Sequence, residues 1–93
     1  MDKIYKENLK AIISKIDNEE EAEFFLESLL TVKEYKEIAT RIEILKRLNR
    51  GETQRNIAKD LGVSVSTVTR GSKELQKHGE DLIKILEKIE DEN

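Results

Sequence analysis

The chain has 93 residues, a formal net charge of −3, no cysteine, no proline and no tryptophan. Without cysteine it can form no disulfide framework and perform no thiol chemistry. A chain this short buries a thin core by itself, so we expect a second copy to complete that core. No apolar run resembles a signal peptide or reaches the ~20 residues of a membrane span, which predicts a cytoplasmic protein without membrane contact.

Apolar residues recur at the helical period along the chain, which predicts an all-α fold. Asn18 with Glu21, and Thr31 with Glu34, are spaced as capping boxes. His78-Gly79 predicts a break, and the acidic end "EKIEDEN" is predicted to be a frayed, solvated tail. Six helices are predicted: about residues 3–16, a second ending near residue 30, a third from the Thr31 cap to the Gly51 stop, residues 54–61, about 65–77, and a last one carrying Leu82, Ile85, Leu86 and Ile89.

Charge is unevenly distributed along this acidic chain. Residues 50–78 carry six basic and three acidic side chains, a net +3, whereas residues 1–49 carry −2 and residues 79–93 carry −4. One basic segment inside an acidic protein is a local indication of an anionic partner, and it is weak when taken alone.

Residues 54–73 match a helix-turn-helix pattern. Thr53 can cap the first helix, Ala58 is small where two helices would cross, and Gly62 supplies the positive φ of a tight turn. The pattern directs four apolar side chains into a shared core: Ile57, Leu61, Val63 and Val68.

The same pattern predicts a DNA-binding surface, because the start of the second helix in such a unit faces base edges in the major groove. Gln54 and Arg55 open the first helix, where phosphate contacts are favoured. Lysines on both helices would attract the DNA phosphates whatever the base sequence. The predicted DNA-binding residues are Gln54, Arg55, Lys59, Val65, Ser66, Thr67, Thr69, Lys73 and Lys77.

Gly71 stands inside the second helix, where glycine costs about 1 kcal/mol relative to alanine. A missing side chain beside Arg70 suggests a pocket for a flat, anionic ligand. The alternative is that Gly71 simply ends the helix. The following residues can continue a helix, and Leu75 continues the stripe from Val68, which favours the pocket.

Four stretches together resemble the Trp repressor family: "LLT" at 29–31, "ATRIEIL" at 39–45, "RGETQR" at 50–55 and "VSTVTRGS" at 65–72. The resemblance covers roughly residues 22–77. It implies an all-α, intertwined homodimer of six-helix chains that binds a double-stranded DNA operator. It also implies repression of genes for tryptophan biosynthesis or uptake, with L-tryptophan as the corepressor and no other cofactor.

The resemblance further implies the residues of a ligand site. Arg41 and Arg70 would hold the indole ring between them, and Arg70 would also hold the carboxylate. Gly71 would make room for the ligand, while Thr31, Leu30 and the Ser28 carbonyl would come from the partner chain. Thr31 is in any case a helix cap, and Arg41 has Glu34 and Glu37 upstream as possible ion-pair partners.

Two features depart from the family pattern. The connection before "QR" is one residue shorter, which could alter the angle of the helix-turn-helix. Glu74 replaces a serine near the ligand's amino group. Glu74 could receive the ligand's ammonium or face solvent. It could also pair with Arg70 four residues earlier, and so weaken carboxylate binding or make the repressor ligand-independent. The alternative to a tryptophan-responsive repressor is therefore a related DNA-binding regulator that needs no ligand or binds another one.

No residue pattern indicates an enzyme or a metal site: there is no nucleophile with a histidine partner and no phosphate-binding glycine loop. A helical dimerisation or adaptor module is the alternative of another class, favoured by the acidic total charge. We expect a single domain over residues 1–93, with a dimerisation core at 1–50, the helix-turn-helix at 51–78 and a C-terminal helix at 79–93.

Overall fold

The computed structural model describes residues 2–90, and over that range the chain forms five α-helices and no strand. The predicted all-α class is therefore confirmed, whereas the count of six helices is not. The fifth and sixth predicted helices form one element with a kink at Gly79, where φ is 56° and ψ is −135°. The predicted acidic tail extends beyond the described residues. The helices are α1 Asp2–Lys15, α2 Glu19–Leu29, α3 Val32–Asn49, α4 Gln54–Leu61 and α5 Val65–Glu90.

The predicted caps determine where α2 and α3 begin. The Glu21 N–H donates to the Asn18 side-chain oxygen over 2.7 Å. At Thr31 the capping box is complete, because the Glu34 N–H donates to Thr31 Oγ1 over 3.1 Å and the Thr31 N–H donates to Glu34 Oε1 over 2.9 Å. These two hydrogen bonds lower the pKa of the Glu34 carboxyl below its ordinary value.

The chain divides between Tyr35 and Lys36 into two compact units. The first unit contains α1 and α2, and neither helix has a buried residue. Phe24 is 74% exposed, and a stripe of apolar side chains along α1 is also exposed. The members of that stripe are Tyr5, Leu9, Ile12 and Ile13.

The second unit contains the helix-turn-helix and a dense apolar cluster. Ile57 and Val68 have no exposed surface, and Ile44 of α3 is 2% exposed. The predicted core is confirmed, since Leu61 and Val63 pack against this cluster and Ile57 and Val68 lie within it. The complete cluster is Ile44, Ile57, Ala58 and Val68, with Leu48, Leu61 and Val63 packed on it.

Candidate functional site

The turn between α4 and α5 is built from local signals. Thr53 Oγ1 accepts the Asn56 N–H over 3.2 Å and so begins α4. Gly62 ends the helix in the left-handed conformation, with φ 67° and ψ 34°. The N–H groups of Gly62 and Val63 both donate to the Ala58 carbonyl. This turn sends the chain directly into α5 while Ala58 stays buried beneath it.

Ser64 caps the first turn of α5. Its Oγ accepts the Thr67 N–H over 3.1 Å and lies 2.7 Å from Thr67 Oγ1 and 3.0 Å from Ser66 Oγ. Val65 is 49% exposed, and Ser66 and Thr67 are exposed beside it. The start of α5 thus presents a methyl-bearing side chain and two hydroxyl groups to solvent, a combination suited to contacts with base edges and phosphates.

Two of the predicted DNA-binding residues contact each other. Thr69 Oγ1 donates to Gln54 Oε1 over 2.6 Å, and it also lies 3.0 Å from the Val65 carbonyl. Both side chains are half-buried. The contact joins the start of α4 to α5, so Thr69 orients Gln54 whether or not either residue contacts DNA.

Five predicted cationic side chains of α4 and α5 have no partner within the described residues and are available to a ligand. Arg55 and Arg70 are exposed, and neither guanidinium has a hydrogen-bond or ion-pair partner within residues 2–90. The three predicted DNA-binding lysines are exposed and unpaired in the same described range. They are Lys59, Lys73 and Lys77.

Gly71 lies where α5 approaches α3 closely. A Cβ atom added to it would lie 3.1 Å from Ile44 Cγ2, 3.4 Å from Leu48 Cδ1 and 3.6 Å from Leu45 Cδ2. The helix continues through this position with helical backbone angles, so the alternative that Gly71 ends the helix is wrong. The glycine therefore has a packing role, and its predicted role in a ligand pocket stays a prediction.

Glu74 does not pair with Arg70 in the described structure. Its carboxylate instead lies 3.2 Å from His78 Nε2, one turn further along α5. Among residues 2–90, Arg70 has no partner, and neither has Arg41, which is exposed on α3. Both guanidinium groups thus remain free to hold an anionic ligand.

The other three predicted ligand residues lie in the first unit. Thr31 forms the capping box, and the Leu30 N–H donates to the Leu26 carbonyl. Ser28 is in the last turn of α2, where carbonyl groups lack partners within the helix. A carbonyl in that position is suited to accept a hydrogen bond from a ligand amine, and these three assignments stay predictions.

One polar cluster was not anticipated from the sequence. Arg47 Nη1 lies 2.8 Å from Asp60 Oδ2 of α4 and 3.7 Å from Glu52 Oε1, while Arg47 Nε lies 2.9 Å from Glu43 Oε2. The hydrogen bond from Arg47 lowers the pKa of Glu43, and the carboxylates raise the pKa of Arg47. Only the Glu43–Arg47 spacing of four residues was a sequence signal for it.

Two other kinds of site were sought among the described residues. Residues 2–90 contain no group of three or more His, Cys, Asp or Glu side chains that could hold a metal ion. No helix in that range combines the length and the apolar character that a membrane span requires.

Comparison with known proteins identifies the family. Residues 6–90 match the family model described as Trp repressor protein. A Trp operon repressor homolog of Vibrio campbellii is 39% identical over 75 residues, covering 80% of this chain and 74% of the relative. The homolog of Vibrio parahaemolyticus is 36% identical over 86 residues, covering 88% of this chain and 82% of the relative. The homolog of Xylella fastidiosa is 38% identical over 71 residues, covering 75% of this chain and 77% of the relative. No solved structure gives a significant match. The chain therefore belongs to the Trp repressor family.

Proposed function

We propose that this transcriptional repressor works in the cytoplasm as an intertwined homodimer that binds a DNA operator with two-fold symmetry. L-tryptophan is its corepressor, and its target genes serve tryptophan biosynthesis or uptake. In this mechanism the ligand binds the DNA-competent arrangement of the two helix-turn-helix units better than the others and so raises its population. Such coupling is typically worth about 1–3 kcal/mol.

The observation that carries DNA binding is the exposed start of α5. Val65, Ser66 and Thr67 face solvent there, on a helix-turn-helix whose arginines and lysines have no partner in the described range. Base contacts and phosphate contacts can therefore form without first breaking ion pairs. The cost of DNA binding is lower for that reason, and the affinity depends steeply on salt.

The exposed apolar surface of α1 and α2 supports the homodimer. Both helices have caps or charged ends typical of stable helices, yet neither buries a residue within its own chain. Exposed apolar patches of this kind mark interaction surfaces. A second copy of the chain supplies an apolar partner for each face at once, because a two-fold axis makes the contact reciprocal.

The ligand site rests on Arg41, Arg70 and Gly71. The two free guanidinium groups can stack on a flat ring and bind a carboxylate through a planar pair of donors. Glu74 can receive the ammonium group of an amino acid, since its present partner His78 is a solvent-exposed neighbour that it can release. Thr31, Leu30 and the Ser28 carbonyl of the partner chain complete the site.

A ligand-independent repressor is the second candidate, and the packing at Gly71 favours it. Ile44, Leu45 and Leu48 already occupy the space that the missing side chain leaves. In that case the helix-turn-helix is held against α3 without any corepressor. The two candidates differ in a single property, which is whether tryptophan changes operator affinity.

A tryptophan titration tests the corepressor. Because the protein contains no tryptophan, free L-tryptophan is the only indole fluorophore present. Its anisotropy should rise on addition of protein and saturate at one ligand per chain, and Arg70→Ala should abolish the rise. Lys36→Ala, which removes a positive charge from an exposed position of α3, is the matched control. Absence of binding up to millimolar concentration would leave the ligand-independent repressor.

A DNA selection tests the repressor against an adaptor module. The protein should enrich pseudo-palindromic duplexes from a random-sequence library, with half-sites about one helical turn apart. The affinity for the enriched duplex should fall steeply with salt. An adaptor would enrich no duplex.

A further inference from the structure

The cluster around Arg47 joins three separate parts of the second unit. Glu43 belongs to α3, Glu52 to the connection after it and Asp60 to the last turn of α4. The Arg47 side chain is 23% exposed, less than any of its three carboxylate partners. Its guanidinium binds Glu43 through Nε and Asp60 through Nη1 at the same time, an arrangement that the planar fork of arginine allows and a lysine ammonium does not reproduce.

The position of this cluster matters because α4 and α5 pack together. Ile57 and Ala58 of α4 share a buried core with Val68 of α5, and Gln54 is hydrogen-bonded to Thr69. Anything that fixes α4 against α3 therefore fixes the start of α5 as well. The connection between α3 and α4 is short, so the bond from Arg47 to Asp60 joins the two helices close to the point where the chain enters the helix-turn-helix.

We propose that Arg47 is a positioning residue that clamps α4 to α3 through Asp60 and so sets the orientation in which the start of α5 meets DNA. Arg47 itself does not contact DNA. The proposal rests on the proposed DNA-binding function. The ion pairs to Glu43 and Asp60 lie on the two sides of the connection and so restrict how α4 can turn against α3.

Two substitutions separate the clamp from simple charge effects. Arg47→Met removes a positive charge, and Asp60→Asn removes a negative one. Electrostatic attraction alone predicts that the first weakens DNA binding and the second strengthens it. The clamp predicts that both weaken binding to the enriched duplex, by roughly threefold to tenfold for a partly exposed ion-pair network. The affinity of Arg47→Lys for the duplex should lie between that of Arg47→Met and that of the unmodified protein. The double variant, Arg47→Met with Asp60→Asn, should bind the duplex no more weakly than Arg47→Met alone.

Matched controls carry the same changes of charge elsewhere. Lys36→Met and Asp81→Asn lie at exposed positions without a partner in the described range, and their operator affinity should follow charge alone. Asp60 is 68% exposed at its side chain, so Asp60→Asn leaves the fold intact even if Arg47→Met does not. Thermal melting of each variant establishes that it is folded at the assay temperature.

Amide hydrogen exchange gives a second readout that needs no DNA. The clamp predicts faster exchange across Gln54–Leu61 in Arg47→Met and Asp60→Asn than in either control. Opposite changes of operator affinity in the two variants, or unchanged exchange in α4, would overturn the clamp. Failure of the unmodified protein to select any duplex would instead refute the proposed DNA-binding function, and the exchange data would still decide the clamp.

Discussion

The two compact units of the chain differ in what they do with apolar residues. In the first unit, α1 and α2 form well-defined helices and bury nothing. In the second, Ile44, Ile57 and Val68 lose nearly all of their exposed surface within a single chain. Helix formation in this chain therefore does not depend on a core within the same unit. The helix-turn-helix has an apolar core within its own unit, whereas the first unit leaves its apolar faces exposed.

The largest expected effect is in the core of the second unit. Ile57→Ala creates a cavity in a fully buried site and should lower the free energy of unfolding by about 2–5 kcal/mol. Chemical denaturation measures it. The same substitution at Ile4 of α1, which is 56% exposed, is the control within the other unit. A loss below about 1 kcal/mol at Ile57 would mean that this core does not stabilise the unit.

The next prediction concerns the apolar face of α1. Ile13→Asp places a charge on that face and should weaken the dimer by about 2 kcal/mol or more, since an unpaired charge is costly to bury. Sedimentation across a range of protein concentrations measures dissociation. Ser14→Asp adds the same charge on the opposite face of α1 and should leave the dimer intact. A dimer indifferent to Ile13→Asp would remove α1 from the interface.

DNA contacts come third. Arg55→Ala and Thr67→Ala should each weaken binding to the enriched duplex by about 1–3 kcal/mol, because each removes a side chain from the proposed interface. Fluorescence anisotropy of a labelled duplex measures the loss, and Lys36→Ala controls for charge. Thr67 also contacts Ser64, so the melting temperature of Thr67→Ala must first be compared with that of the unmodified protein. A variant with unchanged affinity would remove its residue from the interface.

A smaller effect distinguishes two glycines of the second unit. Gly62→Ala should cost about 1–2 kcal/mol, because φ is 67° there and a Cβ is disfavoured in the left-handed region. Steric contact is not the cause, since among the described residues only the adjacent ones come within 4 Å of such a Cβ. Gly71 has a helical backbone, so Gly71→Ala should stabilise the helix through the higher helix propensity of alanine. This gain is offset because the new Cβ would lie only 3.1 Å from Ile44 Cγ2. We therefore expect a smaller change at Gly71. Denaturation of both variants compares them, and equal losses would contradict this assignment.

The smallest effect is a pH dependence in the first unit. The pKa of Glu34 is lowered in the folded chain, so its ionised form contributes stability above the ordinary pKa of 4.5. That contribution is lost as the pH falls through the lowered pKa. Glu34→Gln should remove the loss of stability in acid that is due to Glu34. The loss that is due to Glu43, whose pKa is also lowered, should remain. Melting temperatures from pH 6 down to about pH 3 measure it, and Glu37→Gln is the exposed control.

Local signals account for the features that could be predicted from the sequence. The bounds of α4, Gln54–Leu61, agree with the prediction because Thr53 and Gly62 act on the adjacent backbone. The break at Gly79 was predicted for the same reason, and the backbone of that residue is not helical. The Arg47–Asp60 bond and the Thr69–Gln54 bond were not predicted, because their partners are 13 and 15 residues apart.

The amino-acid sequence alone is enough to predict the all-α class, the positions of the caps and turns, and the apolar side chains that α4 and α5 contribute to the core. Each of these depends on backbone preference or on the spacing of residues within a few turns. Three contacts become visible only in the folded chain: Gly71 packs against Ile44, Glu74 lies beside His78, and Arg47 pairs with Asp60 of α4. These contacts depend on which rotamers and helix crossings the packed chain allows, and residue spacing does not specify that choice.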